Sequence, residues 1–551
     1  MRHAPALVAS ALLLLSGGAA AATYTVGPSG RQYTQLSTLF NAVDLQPGDV
    51  VLVDGNATYS GGIVVGSNDA GAPGNEVVIR WTGAAGQTRP RLHGGQHTIK
   101  FQHSHHVRLE GFEVTGGTST CIFNEANGVT VRDVIVHDCP SHGILGADQN
   151  SGSFTLEYSE LYRNGAGTTR HTIYMQNDQM VYPDATFLMR FNYVHDGNGG
   201  ILMRSRYSRS QIYFNWFEAS TNEAVEFIGP DCQAQKPGWS AGLRREDADF
   251  VGNVIVHTSA WRNAIRLGGD LVGRSQGRVR LVGNSIVFMR DGNSNAVRVQ
   301  LGVESLEMHN NLLYKPPGSF PLTALDENLD VATPYCGPMS TAPWVAGRQV
   351  HGSRNWVVAG AVRVPPEWSG TLSGPDPLLA SIANRQLRPL ARSPLVDAAT
   401  NTPAPFAAHP LPWPLPETYY DPPLRTKLAP GSARPRLPWT YPLDIGALEV
   451  LGIDAYPQPI PERGAEPPIP PAGPALGTAV AQPVIVRAPA PPLRGPVRVW
   501  MEAAFTRMTL GFERFMQGLH ALFGGQPSRA GQPSCAEAGN DAACRNVARP
   551  D

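Results

Sequence analysis

A short apolar segment recurs along the first half of the chain, and this repeat limits the fold more than any other feature of the sequence. Each copy centres on an Ile or Val that is followed two residues later by another apolar or small residue, as in HGILG and NAIRL. The central residues are Ile99, Ile122, Ile144, Ile173, Ile201, Val225, Ile265 and Val297. Their intervals are 23, 22, 29, 28, 24, 40 and 32 residues. A coil of about 22 residues, with longer loops let out of single coils, is typical of a parallel β-helix.

A second column of residues runs in phase with the first. Its members are Asp133, Ser159, Asn192, Asn215, Asn253, Asn284 and Asn311. Asn side chains at successive turns can hydrogen-bond to one another and to the backbone, so this column predicts a ladder of turns. The high counts of Gly (58) and Pro (49), with only 16% charged residues, also favour short strands over long helices. We therefore predict an all-β, right-handed parallel β-helix over residues 23–450, which fits the irregular period better than a sandwich or a propeller.

The N-terminus has the composition of a secretory signal. Arg2 and His3 precede an apolar run over residues 6–15 and small residues over 17–22. We expect residues 1–22 to be a signal peptide, so the mature protein would be secreted or periplasmic. No later apolar run is long enough to span a membrane. The formal net charge of −1 gives no overall attraction to nucleic acid.

Six cysteines lie beyond the predicted cleavage site, in a compartment that should be oxidising. They are Cys121, Cys139, Cys232, Cys336, Cys535 and Cys544. Their spacing contains no CxxC pairs, which disfavours a structural zinc site. Cys121 with Cys139 and Cys535 with Cys544 are local candidates for disulfides, although spacing alone does not fix the connectivity.

The character of the sequence changes after residue 450. Residues 451–496 are rich in Pro and Ala and predict an extended linker. Residues 497–525 predict an amphipathic helix, because its apolar residues step by four and three. These residues are Met501, Phe505, Met508, Phe512, Phe515, Leu519 and Leu522. The helix could dock onto the β-helix, mediate self-association through residues 501–522 or contact a surface, and residues 526–551 predict a disordered tail.

The side chains beside each inward residue point outward, so neighbouring coils should place them in columns. The column one residue after the ladder contains Phe123, Leu145, Tyr174, Leu202, Glu226, Arg266 and Arg298. The column two residues further on contains Glu125, Ala147, Gln176, Arg204, Ile228, Gly268 and Gln300. Coils lie about 4.8 Å apart, so Tyr174, Arg204, Glu226 and Arg266 should fall within a patch about 15 Å long. His171 should lie on the turn before this patch and Arg206 on the turn after it.

Such a patch suits an acidic sugar chain. An Arg pairs bidentately with a uronate carboxylate, and this neutralisation acidifies the proton on the neighbouring ring carbon. A Tyr or His can then remove that proton, and the glycosidic oxygen leaves by β-elimination. We predict Arg204 or Arg206 as the neutralising group and His171 or Tyr174 as base or acid. Gln176, His195, Arg266 and Arg298 are candidate substrate-binding residues.

The carboxylates allow a different assignment. Glu226 with Glu223 or Asp231 could bind a calcium ion or act as the acid and base of a glycoside hydrolase. Glu226 and Arg266 could also form an ordinary surface ion pair. His142 and His257 are interpreted as turn residues, and a turn role is also favoured for His195. Trp216, Trp239 and Trp261 could belong to the core or stack on sugar rings.

The ends of the predicted β-helix resemble those of secreted pectate-lyase-like β-helix proteins. The segment TYTVGPSGRQYTQLSTLFNAVDLQPGDVVLVDGNATYSGGIVV looks like their cap and first coil. The resemblance implies an amphipathic cap helix over Leu36–Val43. The closing segments RSPLVDAAT and YPLDIGALEV are similar to the end segments of the same group.

A second resemblance concerns the candidate site. The segments HTIYM, YVHDGNGGILMRSR and EAVEFIGPD resemble a group of exported β-helix proteins with a His-x-Ile-Tyr strand, a Lys-Ser-Arg turn and an Ile-Asp-Leu strand. The resemblance implies site residues at His171, Tyr174, Arg204 with Ser205, Arg206 and Glu226. Arg204 stands where Lys is usual, and Glu226 where Asp is usual.

The same stretch is similar to chondroitinase-B and alginate-lyase-type enzymes, which carry a catalytic Lys before a Ser and a catalytic Arg one coil later. These positions correspond to Arg204 and Ile228 here. Arg is always protonated in proteins, so Arg204 is a poor substitute for a Lys base. The expected function is therefore a polysaccharide lyase with a Tyr or His base, or a hydrolase or epimerase. The alternative is a non-catalytic β-helix that binds glycans or surfaces.

Overall fold

The computed structural model describes residues 21–229, 246–269, 277–327, 343–436 and 442–451. Within these residues the chain winds through three sheets in which every neighbouring pair of strands is parallel. Each coil contributes one short strand to each sheet, and we name the sheets A, B and C in the order in which the chain visits them. The predicted right-handed parallel β-helix is confirmed.

The strands of the three sheets are as follows. Sheet A contains Thr23–Val26, Val50–Val53, Val77–Trp81, Val107–Glu110, Val129–Arg132, Phe154–Glu157, Thr186–Arg190, Arg209–Tyr213, Asp247–Val251, Arg278–Val282, Ser305–His309, Val350–Ser353 and Trp368–Ser369. Sheet B contains Thr58–Ser60, Arg91–His93, Glu113–Thr115, Ile135–His137, Glu160–Tyr162, Tyr193–His195, Trp216–Glu218, Val254–His257, Ser285–Phe288, Leu312–Tyr314, Trp356–Val358 and Leu372–Gly374. Sheet C contains Ile63–Val65, His97–Gln102, Thr120–Glu125, His142–Gly146, Ile173–Gln176, Met203–Arg206, Val225–Ile228, Asn263–Gly268, Ser294–Gln300 and Leu322–Glu327. Leu379–Ser381 and Gln386–Pro389 form a separate antiparallel pair.

The core is a stack of aliphatic and aromatic residues inside the coils. Burial alternates along most strands, as expected when one face of each strand points inward. The inward column of sheet C pairs Ile144 with Ile173, Ile173 with Met203 and Met203 with Val225. The prediction of Ile201 for this column is therefore wrong by two residues. The long loop before the strand Met203–Arg206 shifts the register, and Ile201 is buried at its end.

The corner between sheets A and B repeats the same backbone pattern in successive coils. A residue with positive φ precedes a buried Asn, as for Phe191 (φ 60°) before Asn192 and Phe214 (φ 56°) before Asn215. Each Asn Oδ1 accepts a hydrogen bond from the backbone N–H of the equivalent residue one coil earlier. The predicted ladder is confirmed and extends to Asn355. The prediction that Asp133 belongs to the ladder is wrong, because Asp133 occupies the positive-φ position (54°) one residue before the ladder position.

The N-terminal end of the core is covered by the predicted cap helix. It spans Leu36–Phe40, three residues shorter than predicted, and buries Leu36 and Leu39. A disulfide joins Cys121 to Cys139 as predicted. Residues 1–20, Cys232, Cys336, Cys535, Cys544 and the predicted linker, helix and tail beyond residue 451 lie outside the described residues.

Residues 404–436, which we call the C-terminal strap, run back along the outside of the β-helix. The Ala404 carbonyl accepts from His351, the Trp413 indole N–H donates to Asp249, and Lys427 contacts Asp133. Successive strap residues thus contact successively earlier coils. None of the helices in the described ranges is long and apolar enough to cross a membrane.

Candidate active site

The candidate site residues form a column on the outer face of sheet C. The strand register pairs Tyr174 with Arg204, Arg204 with Glu226, Glu226 with Arg266, and Arg266 with Arg298. The prediction that Tyr174, Arg204 and Glu226 share one wall is therefore confirmed. Met203 is the inward residue of its coil, so Arg204, one residue later, takes the position in the outward column that was predicted for Leu202. Leu202 itself is buried.

Glu226 lies between two guanidinium groups at the centre of the column. Its Oε2 accepts from Arg204 Nε at 2.6 Å, and its Oε1 contacts Arg266 Nε. The Glu226 side chain is fully buried, whereas the side chains of Arg204 and Arg266 are 15% and 19% exposed. Burial opposes ionisation, but Arg266 and Arg204 outweigh it and hold the pKa of Glu226 below its ordinary value. The interpretation of Glu226 and Arg266 as an ordinary surface ion pair is therefore wrong, because the Glu226 carboxylate is buried and pairs with two guanidinium groups.

The Tyr174 hydroxyl is held by a third arginine. Arg206 Nε donates to Tyr174 Oη at 2.9 Å, and the guanidinium carbons of Arg204 and Arg206 lie 5.6 and 5.8 Å from the centre of the Tyr174 ring. Arg206 also donates to the carbonyl of Gly229 and is only 1% exposed. Its predicted place on an outer turn is corrected: Arg206 ends the strand Met203–Arg206 and is buried beside Tyr174. A hydrogen bond donated by a cation stabilises negative charge on a phenolic oxygen.

Two neutral histidines lie beside Tyr174. Nδ1 of His171 accepts from the N–H of Ile201 at 3.0 Å, and Nδ1 of His142 accepts from the N–H of His171 at 3.1 Å. The proton of each neutral ring is therefore on Nε2. Burial, reinforced by Arg204, lowers the pKa of His171 to about 2, and burial with Arg170 lowers that of His142 to about 4. His171 is thus a poor proton acceptor and a suitable hydrogen-bond donor.

His142 and Asp326 also belong to this region: the interpretation of His142 as a turn residue is wrong, and Asp326 was missed by the sequence analysis. His142 begins its strand of sheet C, and its ring lies 5.8 Å from that of Tyr174. It stands two residues before Ile144, as His171 stands two before Ile173, and this shared spacing could have identified it. Asp326 pairs in register with Arg298 and extends the column by one coil.

Gln176 and Arg298 lie at the margins of the site. Gln176 pairs in register with Arg206 and is buried, and its Nε2 has no hydrogen-bond partner among the described residues. Arg298 Nε lies 3.8 Å from Asp326 Oδ2, and the Arg298 side chain is 22% exposed. Both positions are compatible with the predicted contact to substrate.

His195 does not join the other candidates. It lies on sheet B, where its Nδ1 is 2.6 Å from Asp196 and its Nε2 is 3.1 Å from Glu160. Its ring stacks on Tyr162 and Tyr193. His195 therefore belongs to a buried polar stack on another wall, where it cannot share a ligand with Tyr174.

Glu223 is buried next to this column and has a different set of partners. Its Oε1 accepts from Trp261 Nε1 at 2.6 Å and from Asn263 Nδ2 at 3.1 Å. Burial and the Glu226 charge raise its pKa. Of the three candidate calcium ligands, Asp231 lies outside the described residues, and Glu226 is occupied by two cations that would repel a third. The described residues contain no cluster of three or more metal-ligating side chains, and calcium binding by the full set that includes Asp231 stays a prediction.

Comparisons with known proteins return solved structures only. No protein-family model and no curated protein matches the sequence. Among solved structures, the chain is similar to pectate lyase Pel9A (12% identity, TM-score 0.37, 79% of this chain and 97% of the other). It is also similar to a rhamnogalacturonan lyase (14% identity, TM-score 0.38, 60% of this chain and 87% of the other). A third similar structure is XylC in complex with xylose (9% identity, TM-score 0.41, 65% of this chain and 87% of the other). At such identities and TM-scores, the chemistry of the site can be inferred only from its own side chains.

Proposed function

We propose that the protein binds an acidic polysaccharide along the outer face of sheet C and cleaves it by β-elimination. The observation that carries this proposal is the Tyr174 hydroxyl, which accepts a hydrogen bond from the buried Arg206 and lies next to Arg204, one of the two arginines that share the Glu226 carboxylate. Among the described residues, four arginines and the acidic residues Glu223, Glu226 and Asp326 lie in or beside this column, so positive charge is in excess, which favours an anionic ligand over a neutral one.

The uronate carboxylate pairs with the guanidinium groups of Arg204 and Arg266. Their attraction for the carboxylate stabilises the enolate-like charge that develops when the neighbouring C–H bond breaks. Glu226 fixes both groups through Nε, so little orientation entropy is lost on binding. The wall thus supplies the charge stabilisation that some lyases obtain from a metal ion.

Tyr174 transfers the proton in this proposal. As a phenolate stabilised by Arg206, it removes the proton from the ring carbon beside the carboxylate. The electron pair of that C–H bond forms the ring double bond, and the glycosidic C–O bond breaks. The leaving oxygen then takes up a proton from Tyr174 or from water, which gives one unsaturated and one ordinary sugar end. His171, neutral and with its proton on Nε2, acts as a donor to the substrate rather than as the base.

The test is turnover of a panel of uronate polymers, namely polygalacturonate, alginate, chondroitin and hyaluronan, followed by the ultraviolet absorbance of unsaturated ends. We expect Tyr174→Phe to lower kcat by about 10²- to 10⁴-fold, while the protein still unfolds cooperatively with a loss of about 1–3 kcal/mol because the buried Arg206 loses one hydrogen-bond acceptor. Tyr162→Phe is the matched control, since Tyr162 carries an arginine over its ring on sheet B, 4.6 Å away. Equal activity of Tyr174→Phe and wild type would exclude this role, and activity lost on chelation with EDTA would contradict neutralisation by arginine.

A glycoside hydrolase is the second candidate, and one observation favours it. The pKa of Glu223 is raised and that of Glu226 is lowered, and such opposed shifts are typical of an acid and its base. New reducing ends without ultraviolet absorbance would support this function. An epimerase would change sugar composition without new ends, and binding without any reaction would indicate a glycan-binding module.

The proposed location is outside the cytoplasm, on the basis of residues 1–22. Mass spectrometry of the protein recovered from its native host should find Thr23 as the first residue. An N-terminus at Met1 in the recovered protein would contradict export. Self-association through residues 501–522 also remains a prediction, which sedimentation of the mature protein with and without this segment would test.

A further inference from the structure

Trp261 combines two properties that core tryptophans do not share. It is 46% exposed, yet its indole N–H is held by the buried carboxylate of Glu223 at 2.6 Å. Its backbone N–H donates to Ser259 Oγ at 2.9 Å, and its carbonyl accepts from His257 Nε2 at 2.7 Å. The ring is therefore fixed in position while its apolar surface faces solvent, an arrangement that packing alone does not explain.

This ring lies at the edge of the arginine column. Trp261 comes two residues before the strand Asn263–Gly268, which carries Arg266, and its partner Glu223 is three residues before Glu226. Asn263 shares the Glu223 carboxylate with Trp261 and pairs in register with Asn295 on the strand that carries Arg298. Trp261 thus borders the same wall on the side where the strands begin.

A second exposed aromatic residue lies on this edge two coils further on. Phe320 is 46% exposed and comes two residues before the strand Leu322–Glu327. Its loop is tied to Asp291, which accepts from the backbone N–H of Ser319 at 2.8 Å and from Lys315 Nζ at 2.9 Å. Two coils correspond to roughly 10 Å along the axis. The coil between them joins the two loops, because Arg290 donates to the Ser259 carbonyl beside Trp261 at 2.9 Å while Asp291 accepts from the Phe320 loop.

We propose that Trp261 and Phe320 form an aromatic edge on which pyranose rings of the substrate stack. The apolar face of a sugar ring would lie on Trp261 while its carboxylate points across the wall towards Arg266 and Arg298. Glu223 is then a positioning residue that orients the indole. This inference rests on the proposed acidic polysaccharide ligand and adds how the chain recognises the apolar side of each sugar.

The assignment also separates two roles for Glu223. If Glu223 positions Trp261, then Glu223→Gln keeps an oxygen that accepts from the indole and from Asn263, and binding should change by less than about threefold. If Glu223 is a hydrolytic acid, the same variant loses its proton donor and turnover should disappear. The conservative variant therefore distinguishes positioning from catalysis.

The experiment measures binding and turnover of oligogalacturonates and oligoalginates of graded length. Calorimetry measures binding in the Tyr174→Phe background, and kinetics measures turnover in the active protein. Both compare wild type with Trp261→Phe, Trp261→Ala and Phe320→Ala. We expect Trp261→Ala to raise Kd and KM about 5- to 20-fold with kcat changed less than about twofold, and Trp261→Phe to lie between it and wild type. Phe320→Ala should weaken binding of the longer oligosaccharides alone. Val345→Ala is the control, because Val345 is 40% exposed and lies outside sheet C, before the sheet A strand Val350–Ser353.

The outcomes distinguish the two proposals. If wild type cleaves or binds a uronate polymer and Trp261→Ala behaves like wild type at every length, the aromatic edge is excluded and the proposed function stands. If wild type neither binds nor cleaves any member of the panel, both proposals fall. Loss of thermal stability in Trp261→Ala would be checked with Trp261→Phe, which must still show a weaker binding of oligosaccharide for the inference to hold.

Discussion

At the scale of single residues, the site depends on a carboxylate that is costly to bury. Glu226 has no exposed surface, and only its two arginine partners make its charge stable there. Those arginines in turn are held apart from one another by the same carboxylate. Stability and ligand binding therefore depend on one side chain.

Replacing Glu226 should destabilise the protein strongly. Glu226→Ala leaves Arg204 and Arg266 adjacent without their shared partner, and we expect a loss of about 3–5 kcal/mol in the free energy of unfolding. Asp54→Asn is the comparison and should cost much less, because its partner Arg31 is 40% exposed and water screens the pair. Urea unfolding measures the loss of stability in both variants. Equal losses would mean that Glu226 with Arg204 and Arg266 has no special role in stability.

His142 should make the protein less stable in mild acid. Its pKa falls from an ordinary 6.5 to about 4 on folding, so below pH about 6.5 the unfolded chain takes up a proton that the folded chain refuses. Its contribution to stability is present above pH about 6.5 and is lost as the pH falls towards 4. His142→Gln, which keeps an acceptor for the His171 N–H, should flatten this part of the curve. His103→Asn, at an exposed position with φ 58°, should leave the curve unchanged. Urea unfolding at pH 7 and at pH 5 compares the free energies of unfolding of the two variants with that of wild type.

At the scale of elements, the corner between sheets A and B explains how the coils keep their register. Each ladder Asn also donates from Nδ2 to a carbonyl of the preceding coil, as Asn253 does to Ile212, and Asn192, Asn215 and Asn253 donate to their own coil as well. Outside the ladder, Tyr158, Phe191 and Phe214 stack with ring centres 4.9 and 5.7 Å apart. This stacking offsets part of the strain of positive φ at bulky residues.

A substitution in the middle of the ladder should therefore be severe. Asn253→Ala removes side-chain hydrogen bonds to three coils and leaves buried backbone groups without partners, and we expect a loss of about 3–5 kcal/mol. Asn68→Ala, at an exposed turn, should cost less than about 0.5 kcal/mol. Chemical unfolding of both variants gives the comparison, and a small effect at Asn253 would show that the aliphatic columns alone set the register.

At the scale of the whole molecule, the C-terminal strap connects coils that contact only their neighbours within the solenoid. It links the coil of His351 to that of Asp133 through Trp413 and Arg425. A solenoid without such a link unfolds more readily from its ends. The strap should therefore raise the cooperativity of unfolding.

Trp413 provides the test of this coupling. Trp413→Phe removes the hydrogen bond to Asp249, which has no exposed surface, and should cost about 1–3 kcal/mol. Combined with Asp249→Asn, the two substitutions should be clearly non-additive in urea unfolding. Additive effects would mean that the indole and the carboxylate do not stabilise each other.

Much of the site could be predicted from the sequence because strand geometry is local. Side chains alternate with a period of two, and coils repeat, so Tyr174, Glu226, Arg266 and Arg298 could be placed in one column from spacing alone. The same spacing misplaced Arg204 by two residues, since a loop before Met203 changes the register without any mark in the apolar pattern. It also placed His195 among the candidate substrate-binding residues, although His195 ends a strand of sheet B whereas His171 precedes a strand of sheet C.

The coil, most of the inward columns and the Asn ladder could be read from the amino-acid sequence, because each depends on periodicity, and Cys121 with Cys139 was one of two local disulfide candidates. Three-dimensional contacts were needed to establish that Arg206 is buried against Tyr174, that Glu226 lies between two arginines and that residues 404–436 run back over the earlier coils. These features depend on contacts between residues far apart in the chain. Burial of a charge depends on what surrounds it in three dimensions, and no local pattern encodes that.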